Sequence, residues 1–215
     1  MRRQIAYCMD CMDFMKLLPD KAFDLAIVDP PYGISIAENM GKRKKNSTYE
    51  IKKRVVQNGM LPPPTQGYFK ELFRVSKQQI IWGGNYFELP PCKGFIIWQK
   101  PGISEEVSFA MCEFAWTSFD ITAKVVSVNW ERDRIHPTQK PVDLYKWLLR
   151  RFAKPGDKIL DTHLGSGSSR IAAHEMGYDF VGTEIDKRFF ALQEERFKQA
   201  CEQQSLFEVD GGMIL

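Results

Sequence analysis

Two short segments combine residue types that can bind a small ligand and act on it. The first, Asp29-Pro30-Pro31-Tyr32, follows an apolar run and presents a carboxylate, carbonyl oxygens and an aromatic ring together. Its prolines fix the backbone and cannot continue a central strand. Oxygen acceptors beside an aromatic face suit a planar amine, because the oxygens accept its two hydrogens while the ring stacks on it. The alternative is a turn that only ends the strand.

The second segment is a turn rich in glycine and serine between an apolar strand pattern and a helical pattern. Asp161 opens it, and Gly165, Ser166 and Gly167 follow. This context places backbone N–H groups and a helix N-terminus around a nucleotide-like ligand. Glu184 follows about 20 residues later, where an acid can accept both hydroxyls of a ribose. The spacing favours an adenosine-containing cofactor, and a purely structural turn is the alternative. The dinucleotide fingerprint is incomplete, and no Gly-Lys-Ser/Thr suits a triphosphate.

A third polar segment, His136-Pro137-Thr138-Gln139-Lys140-Pro141, precedes the glycine-rich strand. Pro141 suits the first position of a helix, which tolerates proline. Taken alone, this segment indicates no more than the start of a helix.

The elements that position these segments alternate as in α/β proteins. Strands are predicted at Gln4–Cys8, Phe23–Val28, Gln78–Trp82, Gly94–Gln99, Lys158–Leu160 and Phe180–Gly182. Helices are predicted at Asp13–Leu18, Tyr68–Val75, Val142–Phe152, Ser168–Met176 and Lys187–Cys201.

Composition bounds the class of protein. The 215 residues suit one domain over 1–215, and 44% hydrophobic residues with 15 Phe exclude a disordered chain. No run is long enough to span a membrane and the start lacks a signal peptide, so we expect a cytoplasmic protein. Five cysteines exclude a complete disulfide framework. Cys8 and Cys11 have metal-like spacing but no second pair, so we expect no metal site.

The net charge of +3 hides an uneven distribution. Seven basic residues and Glu50 give the segment Lys42–Arg54 a net charge of +6, which leaves −3 for the rest. Such a run forms either a solvated loop or a surface that faces phosphates. We expect residues 33–66 to form a mobile basic loop, residues 118–136 a compact segment without a clear sequence period and residues 202–215 a C-terminal tail.

Four motifs occur in a specific order: Asp-Pro-Pro-Tyr, His-Pro-Thr-Gln-Lys-Pro, Asp-Thr-His-Leu-Gly-Ser-Gly-Ser-Ser and Gly-Thr-Glu-Ile-Asp. This order closely resembles S-adenosylmethionine-dependent DNA adenine (N6) methyltransferases of the β arrangement, in which the catalytic tetrapeptide precedes the glycine-rich motif. The resemblance covers nearly the whole chain. It implies an α/β fold with a Rossmann-like methyltransferase sheet, mostly parallel, with helices on both faces and a permuted motif order. It also implies DNA methylation, including restriction-modification, as the setting.

The resemblance further implies a role for each matching residue. Asp29 and the Pro30 carbonyl accept hydrogen bonds from the exocyclic amine of the base, Tyr32 stacks on the base, and Pro31 completes the tetrapeptide. The S-adenosylmethionine site comprises Asp10, Thr138, Gln139, Lys140, Asp161, Gly165, Ser166, Gly167 and Glu184. His163 stands where the family commonly has Phe, so no role is implied for it. Contacts with double-stranded DNA are expected from Lys42, Arg43, Lys44, Lys45, Lys52, Lys53, Arg54, Arg132 and Arg134. Residues 118–136 are expected to serve as a compact target-recognition segment.

Several alternatives stay open at this point. Cytosine exocyclic-amine (N4) methylation uses the same geometry, although Asp rather than Ser at position 29 favours adenine. Methylation of a protein glutamine and a non-catalytic DNA-binding module are further alternatives. Gln203, Leu206 and Phe207 resemble a peptide that docks on the replication sliding clamp, and the alternative is that they pack on the domain's own core. A homodimer is a further expectation.

Overall fold

The computed structural model describes residues 2–33, 62–103, 106, 110–131 and 133–210, with residues 204–210 described in backbone alone. Within these ranges the chain forms eight strands. They are β1 (Gln4–Cys8), β2 (Phe23–Val28), β3 (Ser76–Trp82), β4 (Phe95–Gln99), β5 (Cys112–Thr117), β6 (Lys124–Ser127), β7 (Lys158–Asp161) and β8 (Asp179–Glu184). No helix in the described part of the chain is both long and apolar enough to cross a membrane.

All eight strands belong to one sheet in the order β1-β8-β7-β2-β3-β5-β4-β6. The first five strands of this order are parallel, β5 is antiparallel to β3 and β4, and β6 is parallel to β4. The prediction of a mostly parallel sheet is confirmed. Strands β5 and β6 were not predicted, and β6 lies within residues 118–136, a segment without a clear sequence period.

Five α-helices and one 3₁₀ turn accompany the described strands. They are α1 (Cys11–Lys16), α2 (Gln66–Val75), the 3₁₀ turn (Gly84–Tyr86), α3 (Val142–Phe152), α4 (Ser168–Glu175) and α5 (Lys187–Asp210). Pro141 is the N-cap of α3 and not its first residue, which corrects its predicted position. Helix α5 continues past Cys201 to Asp210, so most of the expected tail is helical.

Successive side chains of β2 point to opposite faces of the sheet, and helices cover both faces. Leu25 and Ile27 face a core that includes Leu144 of α3 and Ala172 of α4. The intervening Ala26 and Val28 face a second core, which includes Phe14 and Met15 of α1 and Tyr68, Phe69 and Leu72 of α2. The predicted arrangement of helices on both faces is therefore confirmed, and β2 is buried from Leu25 to Val28.

The parallel strands bring the polar segments to one edge of the sheet. Because β1, β8, β7 and β2 are neighbours with the same direction, their carboxyl ends lie side by side. Asp10, Glu184, Asp161 and Asp29 follow or end these four strands in that spatial order. Ligands in open α/β sheets bind at this edge.

Candidate active site

The tetrapeptide Asp29–Tyr32 leaves the buried strand β2 at the carboxyl edge of the sheet. Tyr32 Oη donates a hydrogen bond of 2.6 Å to Asp29 Oδ1. The Tyr32 ring stacks on the half-exposed Tyr86, with ring centroids 5.1 Å apart and planes 16° apart. Gly83 adopts φ 69°, and a Cβ on it would lie 2.1 Å from Tyr32 Cε1. The tetrapeptide is therefore held in place from β2, from the 3₁₀ turn and by its own hydrogen bond.

A chain of four alternating charges extends from Asp29 into the protein. Lys140 Nζ lies 2.5 Å from Asp29 Oδ2 and 3.0 Å from Glu113 Oε2. The other carboxylate oxygen of Glu113 lies 2.6 Å from Lys100 Nζ. The Lys140 side chain is 2% exposed and the Asp29 side chain 13% exposed, so the lysine is enclosed while the aspartate reaches the surface of the site.

Burial and neighbouring charge act against each other in this chain. Burial raises the pKa of the Asp29 carboxyl, and Lys140 opposes that rise. Burial also acts to raise the pKa of Glu113, but Lys140 and Lys100 outweigh it and hold this pKa at about 2. Burial acts to lower the pKa of Lys140, whereas Asp29 and Glu113 raise it above its ordinary value. Glu113 and Lys140 are therefore both charged at neutral pH.

The glycine-rich turn is tied to the end of the neighbouring strand β8. Gly165 N donates to Glu184 Oε2 at 2.8 Å, and Asp186 N donates to Glu184 Oε1 at 2.9 Å. Gly165 and Gly167 adopt φ 50° and 75°, a region that favours glycine. The Glu184 carboxylate has four lone pairs, so two remain for a ligand. Burial raises its pKa.

Asp161 anchors the start of the same turn from the interior of the protein. The residue is 1% exposed; it accepts a hydrogen bond from Ser169 Oγ at 2.5 Å and one from His163 N at 3.0 Å. Burial raises the pKa of Asp161 to about 7. Ser166 is also buried, with its Oγ 3.1 Å from Ser168 Oγ. Both Asp161 and Ser166 therefore shape the turn from within.

The segment 136–141 distributes its side chains in different directions. Gln139 is buried: its Oε1 accepts from Ile135 N at 3.0 Å, and its Nε2 donates to Glu131 Oε2 at 2.5 Å. Thr138 is exposed, with its Oγ1 3.2 Å from His136 Nδ1. Lys140 contacts the tetrapeptide as described above. The structure thus places Thr138 at the surface, fixes Gln139 inside and joins Lys140 to Asp29, although all three are cofactor residues by resemblance.

Asp10 and His163 occupy structural positions beside this edge. Asp10 is the N-cap of α1, where its Oδ1 accepts from Met12 N at 2.7 Å. His163 Nδ1 lies 3.0 Å from Thr162 Oγ1, which itself lies 2.6 Å from the hydroxyl of Tyr68. Burial lowers the pKa of His163 to about 4, so the ring is neutral at neutral pH.

Most of the expected DNA contacts lie outside the described residues. The segment Lys42–Arg54 and Arg132 are not among them, whereas exposed Arg134 places its guanidinium carbon 4.9 Å from the Trp130 ring centroid. Leu206 and Phe207 lie within helix α5, in the part that is described in backbone alone. In the part of the chain that the structure describes, no group of three His, Cys, Asp or Glu residues could hold a metal ion.

Sequence reasoning missed four residues that organise the site. Glu113 and Lys100 complete the charge chain, and Glu131 and Arg196 form an ion pair of 2.7 Å beside Gln139. Of these four residues, Glu113 could have been noticed in the sequence. It is an acid within the apolar strand sequence Cys-Glu-Phe-Ala-Trp-Thr, where a buried carboxylate requires a partner. The partners lie in other parts of the sequence, so no local pattern identifies them.

Comparisons with known proteins agree with this architecture. The putative methylase YubD of Escherichia coli (strain K12) is 24% identical over 87% of this chain and 87% of its own length. The type II methyltransferase M2.MboI of Moraxella bovis is 22% identical over 88% of this chain and 86% of its own.

Solved structures show the same Rossmann-like methyltransferase fold. A putative DNA modification methylase from Thermus thermophilus, complexed with S-adenosyl-L-methionine, superposes with a TM-score of 0.61 at 16% identity. The match covers 93% of this chain and 94% of that one. The cytosine-N4-specific PvuII DNA methyltransferase gives a TM-score of 0.55 at 13% identity, covering 91% and 90% of the two chains.

A family model connects the sequence directly with an activity. The model of the N6/N4 methyltransferases, described as DNA methylase, matches residues 73–195, which is more than half of the chain and spans β3 to the first part of α5. The protein therefore belongs to the N6/N4 family of DNA methylases.

Proposed function

We propose that this protein transfers the methyl group of S-adenosylmethionine to the exocyclic N6 amine of an adenine that is flipped out of double-stranded DNA. The observation that carries the proposal is the placement of the tetrapeptide Asp29–Tyr32 beside the glycine-rich turn. Strands β2 and β7 pair in parallel with Ala26 opposite Leu160. Neighbouring strands lie about 4.8 Å apart, so an amine bound at Asp29 is next to the turn that follows β7.

The residues at the glycine-rich turn fit S-adenosylmethionine. Glu184 retains lone pairs for the two hydroxyls of a ribose, and Asp10 lies at the end of neighbouring β1 to reach the adenine. Gly165 faces the ring of His136, and a Cβ there would already lie 3.7 Å from it. The ring of His136 therefore lies beside the turn, within van der Waals contact of a Cβ at position 165. When bound, the cofactor supplies a methyl group on a positively charged sulfur, which is a good leaving group.

Asp29, Pro30 and Tyr32 act on the amine. The lone pair of an adenine amine is delocalised into the ring, which makes the nitrogen a poor nucleophile. Hydrogen bonds from its two N–H groups to the Asp29 carboxylate and the Pro30 carbonyl favour a pyramidal nitrogen and direct the lone pair towards the methyl group. Tyr32 holds the plane of the base by stacking. The nitrogen must lose one proton when it gains the methyl group, and the Asp29 carboxylate, which already accepts its hydrogen bond, can pass that proton to solvent. Position and electrostatics supply the rate, and no covalent intermediate is needed.

A base in a duplex must leave the stack to reach Asp29, which costs a few kcal/mol. We expect phosphate contacts from the basic segment Lys42–Arg54, together with Arg132 and Arg134, to offset this cost. Substituting Lys42–Lys45 with Ala should flatten the dependence of DNA affinity on salt, by about 0.9 in logarithmic slope for each phosphate that the variant no longer neutralises. Exposed Lys154, at the opposite edge of the sheet, provides the control substitution. An unchanged slope in the fourfold variant would contradict this assignment.

The function is tested by incubating the protein with unmethylated DNA and S-adenosylmethionine and mapping modified bases at single-nucleotide resolution. We expect N6-methyladenine at a defined sequence. Asp29→Asn should abolish transfer and leave cofactor binding intact, because the carboxylate contacts the base and not the cofactor. The matched control is Asp24→Asn, at the amino end of the same strand, where Asp24 pairs with Lys77. N4-methylcytosine instead of N6-methyladenine would overturn the choice of base.

A further inference from the structure

Lys140 is fully engaged with groups of the tetrapeptide and its support. Its Nζ lies 2.5 Å from Asp29 Oδ2, 3.0 Å from Glu113 Oε2 and 3.2 Å from Tyr32 Oη. An ammonium group has three N–H donors, and three oxygens already accept them. With a side chain that is 2% exposed, Lys140 has neither a free donor nor access for another ligand.

Asp29 receives one hydrogen bond on each carboxylate oxygen. Oδ1 accepts from Tyr32 Oη and Oδ2 accepts from Lys140 Nζ. Each oxygen keeps a second lone pair, so the carboxylate is oriented and still able to accept the N–H of a base. Protonated Asp29 would instead carry a donor at one oxygen. An ionised Asp29 is therefore a requirement of the proposed reaction.

Without Lys140, the groups around Asp29 would favour the protonated form of its carboxyl. Burial raises the Asp29 pKa, and the negative charge of Glu113 adds to that rise. Asp161 at the end of β7 also interacts with Asp29 and is itself partly ionised at neutral pH. The hydroxyls of Tyr68 on α2, Tyr145 on α3 and Tyr32 have raised pKa values and stay neutral. Lys140 is the cation that contacts Asp29 among the described residues.

Glu113 and Lys100 support Lys140 from behind. Glu113 on β5 holds the Lys140 ammonium with one oxygen and Lys100 with the other. Lys100 Nζ also lies 4.7 Å from the ring centroid of Trp130 and 5.1 Å from that of Trp98. Two ammonium groups and two carboxylates balance each other in a buried site, where an unpaired charge is costly.

Resting on the proposed function, we infer that Lys140, seated by Glu113 and Lys100, is a positioning residue that keeps Asp29 ionised and oriented to accept the amine of the target base. It acts through Asp29 and does not touch the cofactor. This differs from the cofactor role that the family resemblance implied for Lys140.

Two substitutions act on Asp29 in opposite directions, which distinguishes this role from a structural one. Lys140→Met removes the cation and keeps the bulk, so the acid limb of the pH profile for kcat should move to higher pH by at least one unit. Glu113→Gln removes a competing anion, so Lys140 acts on Asp29 alone and the limb should move to lower pH. At neutral pH we expect kcat to fall at least 100-fold in the first variant and less than 10-fold in the second.

Cofactor affinity and a control variant complete the test. The Kd for S-adenosylmethionine, measured by calorimetry, should change less than threefold in Lys140→Met. Lys140→Arg should recover part of kcat, because it restores a cation to Asp29. Lys93→Met removes a lysine that is 69% exposed and paired with Asp120, and it should leave all parameters unchanged. A Kd that rises more than tenfold with kcat unchanged, or limbs that move in the same direction, would overturn the inference.

A direct titration separates this inference from the proposed function. The ionisation of Asp29 can be followed by carbon-13 NMR of labelled aspartate carboxyls, with Asp29→Asn to assign the signal and no DNA present. The Asp29 pKa should rise in Lys140→Met and fall in Glu113→Gln. Failure to methylate any DNA would refute the function while these shifts still support the inference, and unchanged carboxyl pKa values would refute the inference alone. If Lys140→Met does not fold, the Glu113→Gln and Lys140→Arg proteins test the inference instead. An Asp29 pKa that does not fall in Glu113→Gln would then refute it.

Discussion

Arg196 Nη2 lies 2.7 Å from Glu131 Oε2, and this ion pair joins three parts of the chain that shape the site. Glu131 also accepts hydrogen bonds from Gln139 Nε2 at 2.5 Å and from Val142 N, the first residue of α3, at 2.7 Å. Arg196 on α5 donates in addition to Ser166 O at 2.9 Å. The segment 136–141, the glycine-rich turn and α5 are therefore fixed to one another by two side chains.

Glu131→Gln should destabilise the protein and weaken cofactor binding together. The amide lacks the charge that Arg196 needs, and its NH₂ group faces donors, so the free energy of unfolding should fall by about 1–3 kcal/mol. For a chain of this size the melting temperature falls by about 2–4 °C per kcal/mol. Scanning calorimetry with and without S-adenosylmethionine measures both effects. The control is Glu195→Gln, an exposed position on the same helix as Arg196. Equal melting temperatures for the two variants would show that the ion pair contributes nothing.

Gly83→Ala should disable catalysis and preserve the cofactor site. The new Cβ would lie 2.1 Å from Tyr32 Cε1, so the tyrosine ring or the Gly83 backbone must shift, which disturbs the hydrogen bond from Tyr32 Oη to Asp29. A displacement of about 1 Å can cost 10²-fold in rate, and we expect a fall in kcat of about that size. The matched control is Gly177→Ala: Gly177 has φ 73° but nothing within 4 Å of an added Cβ, so it reports backbone strain alone. Similar kcat values for the two alanine variants would contradict a role for the Gly83–Tyr32 contact.

The sequence predicted the position of the tetrapeptide and of the glycine-rich turn because both depend on local patterns. The run Phe23–Val28 is apolar throughout except for Asp24 and ends at two prolines, and the strand is found with those bounds. The glycines at 165 and 167 mark left-handed backbone that other residues adopt at a cost. Where the chain must turn is thus encoded within a few residues.

The parts that escaped prediction depend on distant partners. Strand β6 is a four-residue edge strand defined by its pairing with β4, for example Ile97 with Val125. Lys140 was assigned to the cofactor from the motif around it, whereas its contacts are with Asp29 and with Glu113 on β5. Contacts between distant segments follow from sheet order, which the sequence alone did not supply.

The stability of the unliganded protein should depend on pH through Asp161. Burial raises the pKa of this carboxyl from 3.8 to about 7. Between these values the folded state keeps a proton that the unfolded state has lost, so the contribution of Asp161 to the free energy of unfolding falls as the pH rises from about 4 to about 7. Asp161→Asn does not titrate and lacks this fall. The difference in unfolding free energy between variant and wild type should change in favour of the variant by on the order of 3–4 kcal/mol across the window.

Urea unfolding of both proteins at half-unit steps from pH 4.5 to pH 8 measures this difference. Groups that titrate alike in the two proteins cancel in the subtraction. A difference that stays constant over the whole range would show that Asp161 is ionised in the folded protein at pH 5.

His163 should produce the opposite slope over much of the same pH range. Burial lowers its pKa from 6.5 to about 4. Between these pH values the unfolded state binds a proton that the folded state does not bind. The contribution of His163 to the free energy of unfolding therefore falls as the pH drops from about 6.5 to about 4. His163→Phe keeps the ring beside Tyr68, 5.2 Å away, and Thr162 keeps its hydrogen bond to the Tyr68 hydroxyl. Over this window the free energy of unfolding of the variant should rise by on the order of 3 kcal/mol relative to that of the wild type, as urea unfolding at pH 4.5, 5.5 and 6.5 would show.

His136, whose pKa burial also lowers to about 4, is present in both proteins, so its contribution cancels in the comparison. Parallel curves for the two proteins would mean that His163 takes up its proton equally in both states, and that its burial in the folded chain carries no electrostatic cost.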